Sequence, residues 1–276
     1  MRALFTAFAA VVFAQPLAAA CIDFNVAPQQ GGFIWGVVVP GSEVSLDGQA
    51  LEVMADGTTF LGFGRDAPKT ADLVVTRLNE SAECRETLQI TRRDYQIQRV
   101  EGVPAKTVHP PAEQLARIRR EAALVSAARA KRLDRPDLIS AVFEGFTWPI
   151  EGPISGVYGS QRYYNGEPGR PHYGVDVAAP TGSVVRAPGA AVVTLAEPDL
   201  FYSGGTIVLD HGYLLSSSFL HLSKVLVKVG DELSAGDIIG EVGATGRATG
   251  PHLDWRMNWR NQRIDPQLLA PAMPKP

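Results

Sequence analysis

Four of the five histidines, His172, His211, His221 and His252, lie beyond residue 170, and the fifth, His109, stands among prolines. Two of the four are spaced from an aspartate in ways that suit metal chemistry. In His172-Tyr173-Gly174-Val175-Asp176 the polar ends are four residues apart, and a bend at Gly174 lets both converge on one ion. Imidazole nitrogen and carboxylate oxygen are both good zinc ligands. A structural His–Asp hydrogen bond explains the same pattern equally well. In Gly250-Pro251-His252-Leu253-Asp254-Trp255 the second pair is two apart. Side chains two apart on a strand face the same way, so His252 and Asp254 share one space while Leu253 and Trp255 turn from it. His221 sits in the apolar run Phe219-Leu220-His221-Leu222-Ser223, where a lone histidine is more often a core residue than a functional one. No His-Glu-x-x-His helix is present to supply a glutamate base, and no Gly-x-Ser-x-Gly elbow supports a serine hydrolase.

These residues need a scaffold, and the pattern for it is mainly β. From Phe146 onward short apolar runs such as Val184-Val185, Ala191-Val192-Val193 and Thr206-Ile207-Val208-Leu209 alternate with glycine-bearing turns. Parallel crossovers need about a dozen residues and usually a helix. No long helical pattern intervenes, so an antiparallel β-sandwich is expected over 141–276. Residues 21–99 read as a second, smaller β-sandwich of immunoglobulin-like type, with Asp47-Gly48 and Asp56-Gly57 as turn signals. It contains no histidine, and serves either to position the chain on its substrate or as a structural accessory. Between them, 100–140 is a linker. Pro104, Pro110 and Pro111 open it, and Leu115, Ile118, Ala122 and Val125 recur at helical spacing, predicting a helix over Ala112–Arg132 that ends at Arg135-Pro136.

The first twenty residues order a charge (Arg2), an apolar block (Leu4 to Phe13) and a small-residue site (Ala18-Ala19-Ala20), the layout of an export signal. The block is too short to span a bilayer, and no later segment is a transmembrane candidate. Export gives the two cysteines, Cys21 and Cys84, two fates. They form a disulfide in an oxidising compartment, or Cys21 carries a lipid as the first residue of an outer-membrane lipoprotein. With 26 Lys and Arg against 29 Asp and Glu, a net charge of -3, the chain has no footprint of a nucleic-acid binder.

The run from about Ile154 to Leu269 resembles the lysostaphin-type zinc metallopeptidases of bacterial cell walls. The likeness rests on His172-Tyr173-Gly174-Val175-Asp176-Val177-Ala178-Ala179-Pro180, Val208-Leu209-Asp210-His211-Gly212, the His221 strand, Val229-Gly230-Asp231 through Gly240, and Val242-Gly243-Ala244-Thr245-Gly246 through Leu253. The resemblance implies a peptidoglycan endopeptidase with one Zn2+. It implies His172 and Asp176 as the first two ligands, and His221 and His252 as catalytic histidines flanking the attacking water. His211 matches no catalytic position. The family's third ligand is the second histidine of a His-x-His pair, and here that position is Asp254. Either Asp254 binds the metal, in a harder donor set that makes Mn2+ a second choice of ion, or the site is impaired and the domain activates other cell-wall hydrolases. Tyr158, Tyr163, Tyr164 and Asn165 precede the first ligand and are expected either to line a substrate groove for wall peptides or to form a plain surface loop. The compartment expected is the periplasm.

Overall fold

The computed structural model describes residues 20–77 and 83–274; the segment expected to be an export signal, but for its last residue, lies outside the described residues. The fold is mainly β. Its largest sheet is antiparallel and runs in the order Glu232–Leu233, Ala191–Leu200, Gly204–Asp210, Leu215–Leu222, His252–Trp259, Gly174–Ala178 and Ile154–Gly156, with Gln262–Ile264 added against His252–Trp259. A small sheet of Val184–Arg186, Ile238–Glu241 and Lys224–Val225 lies beside it. One face of the large sheet is a dry core of Val175, Val177, Phe219, Leu253 and Trp255. Trp255 meets Trp148 and Phe146 there. Alternation then puts Asp176, Asp254 and Arg256 on the opposite face.

The N-terminal unit consists of a four-stranded sheet (Gln49–Ala50, Glu43–Leu46, Thr70–Thr76, Glu83–Gln89) and a two-stranded one (Phe33–Val37 with Thr58–Gly62), both antiparallel. Cys21 and Cys84 form a disulfide across 63 residues of sequence. With its sulfur in that bridge, Cys21 has no free thiol. The unit does not stand apart. Phe33 and Phe60 pack edge-on against Trp259 at ring separations of 6.1 and 6.4 Å, and Arg93 pairs with the buried Asp265 at 2.8 Å.

The linker departs from its expected form in two ways. The helix covers Leu115–Ala130 after a 3-10 turn at Ala112–Gln114, and a second helix, Pro136–Phe143, follows. The first helix has already ended at Ala130, and Arg135-Pro136 starts the second, because a proline is tolerated in the first turn, where no intrahelical donor is needed. The chain just before the linker also joins the C-terminal part directly: Ile97–Val100 pairs in parallel with Gln161–Tyr164. The helices between those strands provide the long crossover that parallel pairing requires.

Candidate metal centre

The register of the large sheet assembles the site. Asp176 lies directly opposite Asp254, and Asp254 directly opposite Leu220. Two carboxylates facing each other across neighbouring strands repel, so the arrangement calls for cations. Two are built in. Arg162 pairs with Oδ2 of Asp176, and Arg256 clasps Asp254, donating from Nε to Oδ1 at 2.9 Å and from an η nitrogen to Oδ2 at 2.5 Å. Gly156 faces Asp176, where any Cβ would collide with Asp176 Oδ2 and the Arg162 guanidinium.

The Arg162 pairing leaves the other oxygen of Asp176 free. Oδ1 stands 3.1 Å from Nε2 of His172, yet both atoms are buried without a hydrogen-bond partner. Buried polar atoms are nearly always satisfied, so a pair of converging orphans marks a place for a ligand. Donor atoms of His172, Asp176 and Asp254 all lie within 4.8 Å of one another. This one-imidazole, two-carboxylate set fits a divalent ion by its chemistry and its convergence. Burial pushes the Asp176 carboxyl up, but His172 and Arg162 more than reverse this and hold it well below the usual range. Asp254 is likewise lowered, to about 2: burial opposes ionisation and Arg256 and His172 overcome it. Both are carboxylates near neutrality, as metal binding requires.

His221 reaches the site by a distortion. The pairing of Gly204–Asp210 with Leu215–Leu222 slips between Gly205 and Ile207, and His221 adopts a φ of 66°. Bulges re-aim side chains. Here the bulge turns His221 toward Asp254, Nε2 to Oδ2 4.0 Å, where regular alternation would point it away. His252 sits beside it, ring centroids 4.8 Å apart, with its Nε2 4.0 Å from Asp176 Oδ1. Each imidazole places Nδ1 2.8 Å from a carbonyl, His221 from Thr245 and His252 from Gly250. A carbonyl only accepts, so Nδ1 carries the hydrogen and, in the neutral ring, Nε2 is the free base. Burial pulls the His221 pKa down to about 4. His211 is elsewhere. It is fully buried between the Ala190 carbonyl and the Ser217 hydroxyl at 2.9 and 2.6 Å.

The groove expectations need correction. Tyr158 is buried, its hydroxyl donating to the Arg263 carbonyl at 2.6 Å, and it lines no groove. Asn165 is spent on the linker, exchanging hydrogen bonds with the backbone of Val103. Tyr163 lies against Arg99 on the far side of its strand. Tyr164, one residue on, faces the site together with Arg162, two residues before it. Tyr164 stacks with Arg247 at 4.3 Å, and this pair lines two cavities. One, of about 250 Å3, is walled by Gln98, Val100 and Val103 and reaches His252; the other, of about 560 Å3, is walled by the Leu115–Ala130 helix and reaches His172. The sequence reading passed over Arg162 and Arg256. The i, i+2 spacing that linked His252 to Asp254 also links Asp254 to Arg256 and was the available signal.

This sheet, with His172, His221, His252, Asp176 and Asp254 gathered at one of its faces, is a lysostaphin-type peptidase domain. Residues 170–266 match peptidase family M23, and the chain carries a domain of that family. Among similar proteins, the peptidoglycan DD-endopeptidase ShyA of Vibrio cholerae is 38% identical over 109 residues, 38% of this chain and 25% of that protein. The DD-carboxypeptidase/endopeptidase Mpg of Neisseria meningitidis is 36% identical over 107 residues, 39% of this chain and 24% of that protein. The chain thus spans about a quarter of the length of these curated relatives. A solved Pseudomonas aeruginosa structure assigned to peptidase M23 matches over 88% of this chain and 95% of its own, with a TM-score of 0.66 and 28% identity. The likeness to that structure therefore extends beyond the peptidase domain into the N-terminal unit.

Proposed function

We propose that the protein is an exported zinc metallo-endopeptidase that hydrolyses peptide cross-links in bacterial peptidoglycan, acting in the periplasm. The observation that carries this reading is the convergence of His172 Nε2, Asp176 Oδ1 and Asp254, two of those donors being orphaned and buried. His172, Asp176 and Asp254 would hold the ion, which when bound supplies Lewis acidity toward a peptide carbonyl and toward water. The chain's own groups do the rest. The free Nε2 atoms of His221 and His252 flank the space beside the ligands, so one can take a proton from water and either, once protonated, can stabilise the oxyanion.

Asp254 in place of a neutral imidazole adds a negative charge that would weaken the ion's effect on water. Arg256 offsets it, because the clasped Asp254–Arg256 pair is neutral as a unit, as histidine is. ShyA is named a DD-endopeptidase, and bonds containing a D-amino acid are the class we assign here. Purified full-length protein should release soluble fragments from peptidoglycan, stop with a chelator, and contain about one equivalent of zinc that Asp254→Ala loses. Zinc-free protein inert at any metal concentration would overturn the reading. A second reading draws on the guanidinium already seated on each carboxylate. On that reading the domain cuts nothing and activates a separate wall hydrolase, which a stimulation assay with inert protein would reveal.

A further inference from the structure

The larger cavity beside the metal centre is lined by five arginines, Arg129, Arg170, Arg247, Arg256 and Arg263, and by one carboxylate among the described residues, Glu121. Glu121 is already committed, accepting from Arg117 Nε at 2.5 Å and from the Phe201 amide at 2.7 Å. Of the arginines, Arg256 alone has a carboxylate partner among the described residues, Asp254. Arg247 lies between the rings of Tyr164 and Tyr202. Arg263 donates to the neutral amide oxygen of Asn258 at 2.9 Å and overlies Tyr173. The side chains of Arg129 and Arg170 make no hydrogen bond or ion pair among the described residues.

Positive charge this crowded is costly. Burial, then repulsion from Arg129 and Arg256, pulls Arg263 down to about 9, and burial with Arg256 also lowers Arg129. Arg129 and Arg263 are half-buried and Arg170 is exposed at the cavity mouth, and partly desolvated charge without a partner is tolerated where something pairs it in use. The planar guanidinium fork matches a carboxylate in two-pronged geometry.

We propose that this cavity is a recognition site for a carboxylate carried by the bound peptide, with Arg129, Arg170 and Arg263 as the groups that receive it. The site is composite. Arg129 comes from the linker helix, Arg170 from the loop before His172, and Arg263 from the strand after Trp259. His172 lines the same cavity, so a peptide whose scissile bond sits at the metal centre places a neighbouring carboxylate among these arginines. The linker helix thereby becomes part of substrate selection. This inference rests on the reading of the centre as one that takes wall peptides, but it concerns binding and is tested without hydrolysis.

The experiment is calorimetric titration of chelator-treated full-length protein with acetyl-L-Lys-D-Ala-D-Ala bearing a free C-terminal carboxylate, with its C-terminal amide, and with inorganic phosphate. The carboxylate peptide should bind at least about tenfold more tightly than the amide, an effect of the size expected for a charge-assisted pair. Arg129→Gln and Arg170→Gln, each checked for an unchanged melting temperature, should shrink that preference to less than about threefold, and Arg129→Lys should retain part of it. Equal affinity for acid and amide, binding of neither, or a preference that survives both Gln variants would overturn the proposal. Phosphate binding as tightly as the peptide would overturn its peptide assignment. A protein that passes this test yet releases no fragments from peptidoglycan would sink the endopeptidase reading and leave the carboxylate site standing.

Discussion

The N-terminal unit and the peptidase sheet solve the same folding problem with opposite allocations of buried space. In the N-terminal unit the inward positions of Phe33–Val37, Thr58–Gly62 and Thr70–Thr76 are filled by Phe33, Ile34, Phe60, Leu61, Leu73 and Val75, and the Cys21–Cys84 bridge fastens the result. The peptidase sheet has an equally dry face, but its other face buries His172, Asp176, His221 and Asp254. Burying ionised groups costs several kcal/mol each before pairing. Arg162 and Arg256 recover part of that cost, and His172 Nε2 and Asp176 Oδ1 stay unsatisfied. One region is organised for stability, while the other gives stability up to hold a site. Substitutions in the two regions should therefore separate cleanly.

The sharpest break in that comparison is His221→Ala. Peptidoglycan hydrolysis should fall by about a thousandfold, equivalent to about 4 kcal/mol, while the melting temperature changes by a few degrees at most. Undiminished turnover would remove His221 from the catalytic role. Cys84→Ser should do the reverse. Opening a 63-residue loop should lower stability by about 4 kcal/mol, measured by denaturant unfolding, with hydrolysis per folded molecule unchanged.

The smallest effect probes polar burial away from the site. Burial raises the Asp210 carboxyl to about 6 and lowers its neighbour His211 to about 4. The folded state holds the Asp210 proton longer than the unfolded chain, so this group's contribution to stability declines as pH climbs from about 4 to 6. His211 acts oppositely, because the unfolded chain takes up a proton below about 6.5 that the folded state refuses until about 4, so stability grows with pH over that window. Asp210→Asn removes only the first term. The variant should be more stable than wild type by about 2 kcal/mol at pH 7.5, lose that advantage by pH 4, and weaken steadily as pH falls through 6.5. A constant difference across this range would show that Asp210 is not held against ionisation.

Much of the site was readable because its spacing is local. His172 and Asp176 bracket one glycine, and His252 and Asp254 share a strand face, so simple periodicity brings each pair together. Cys21 and Cys84 were left with two fates by the sequence, and the fold joins them. His221 could not be placed by the same rule, since a one-residue bulge reverses its direction and bulges leave little trace in a single sequence. Tyr158 was misplaced because a phenol near a polar loop looks like a contact residue, whereas its hydroxyl is used up on the Arg263 carbonyl. The Pro136–Phe143 helix was missed because Arg135-Pro136 was read as a stop. The parallel pairing of Ile97–Val100 lay beyond reach, because it depends on where a distant part of the chain leaves an edge open.

That pairing makes the boundary between the two halves a hydrogen-bonded ladder. A fragment trimmed back to residues 154–269, the run that resembles the family, would expose the bare side of Gln161–Tyr164, and unpaired strand edges recruit other chains. Such a fragment should self-associate, and would lose Gln98, Val100 and Val103 from the wall of the cleft. The accessory half works as a structural lid on an otherwise sticky margin, so evolution can exchange the two halves only if each replacement brings a strand of its own.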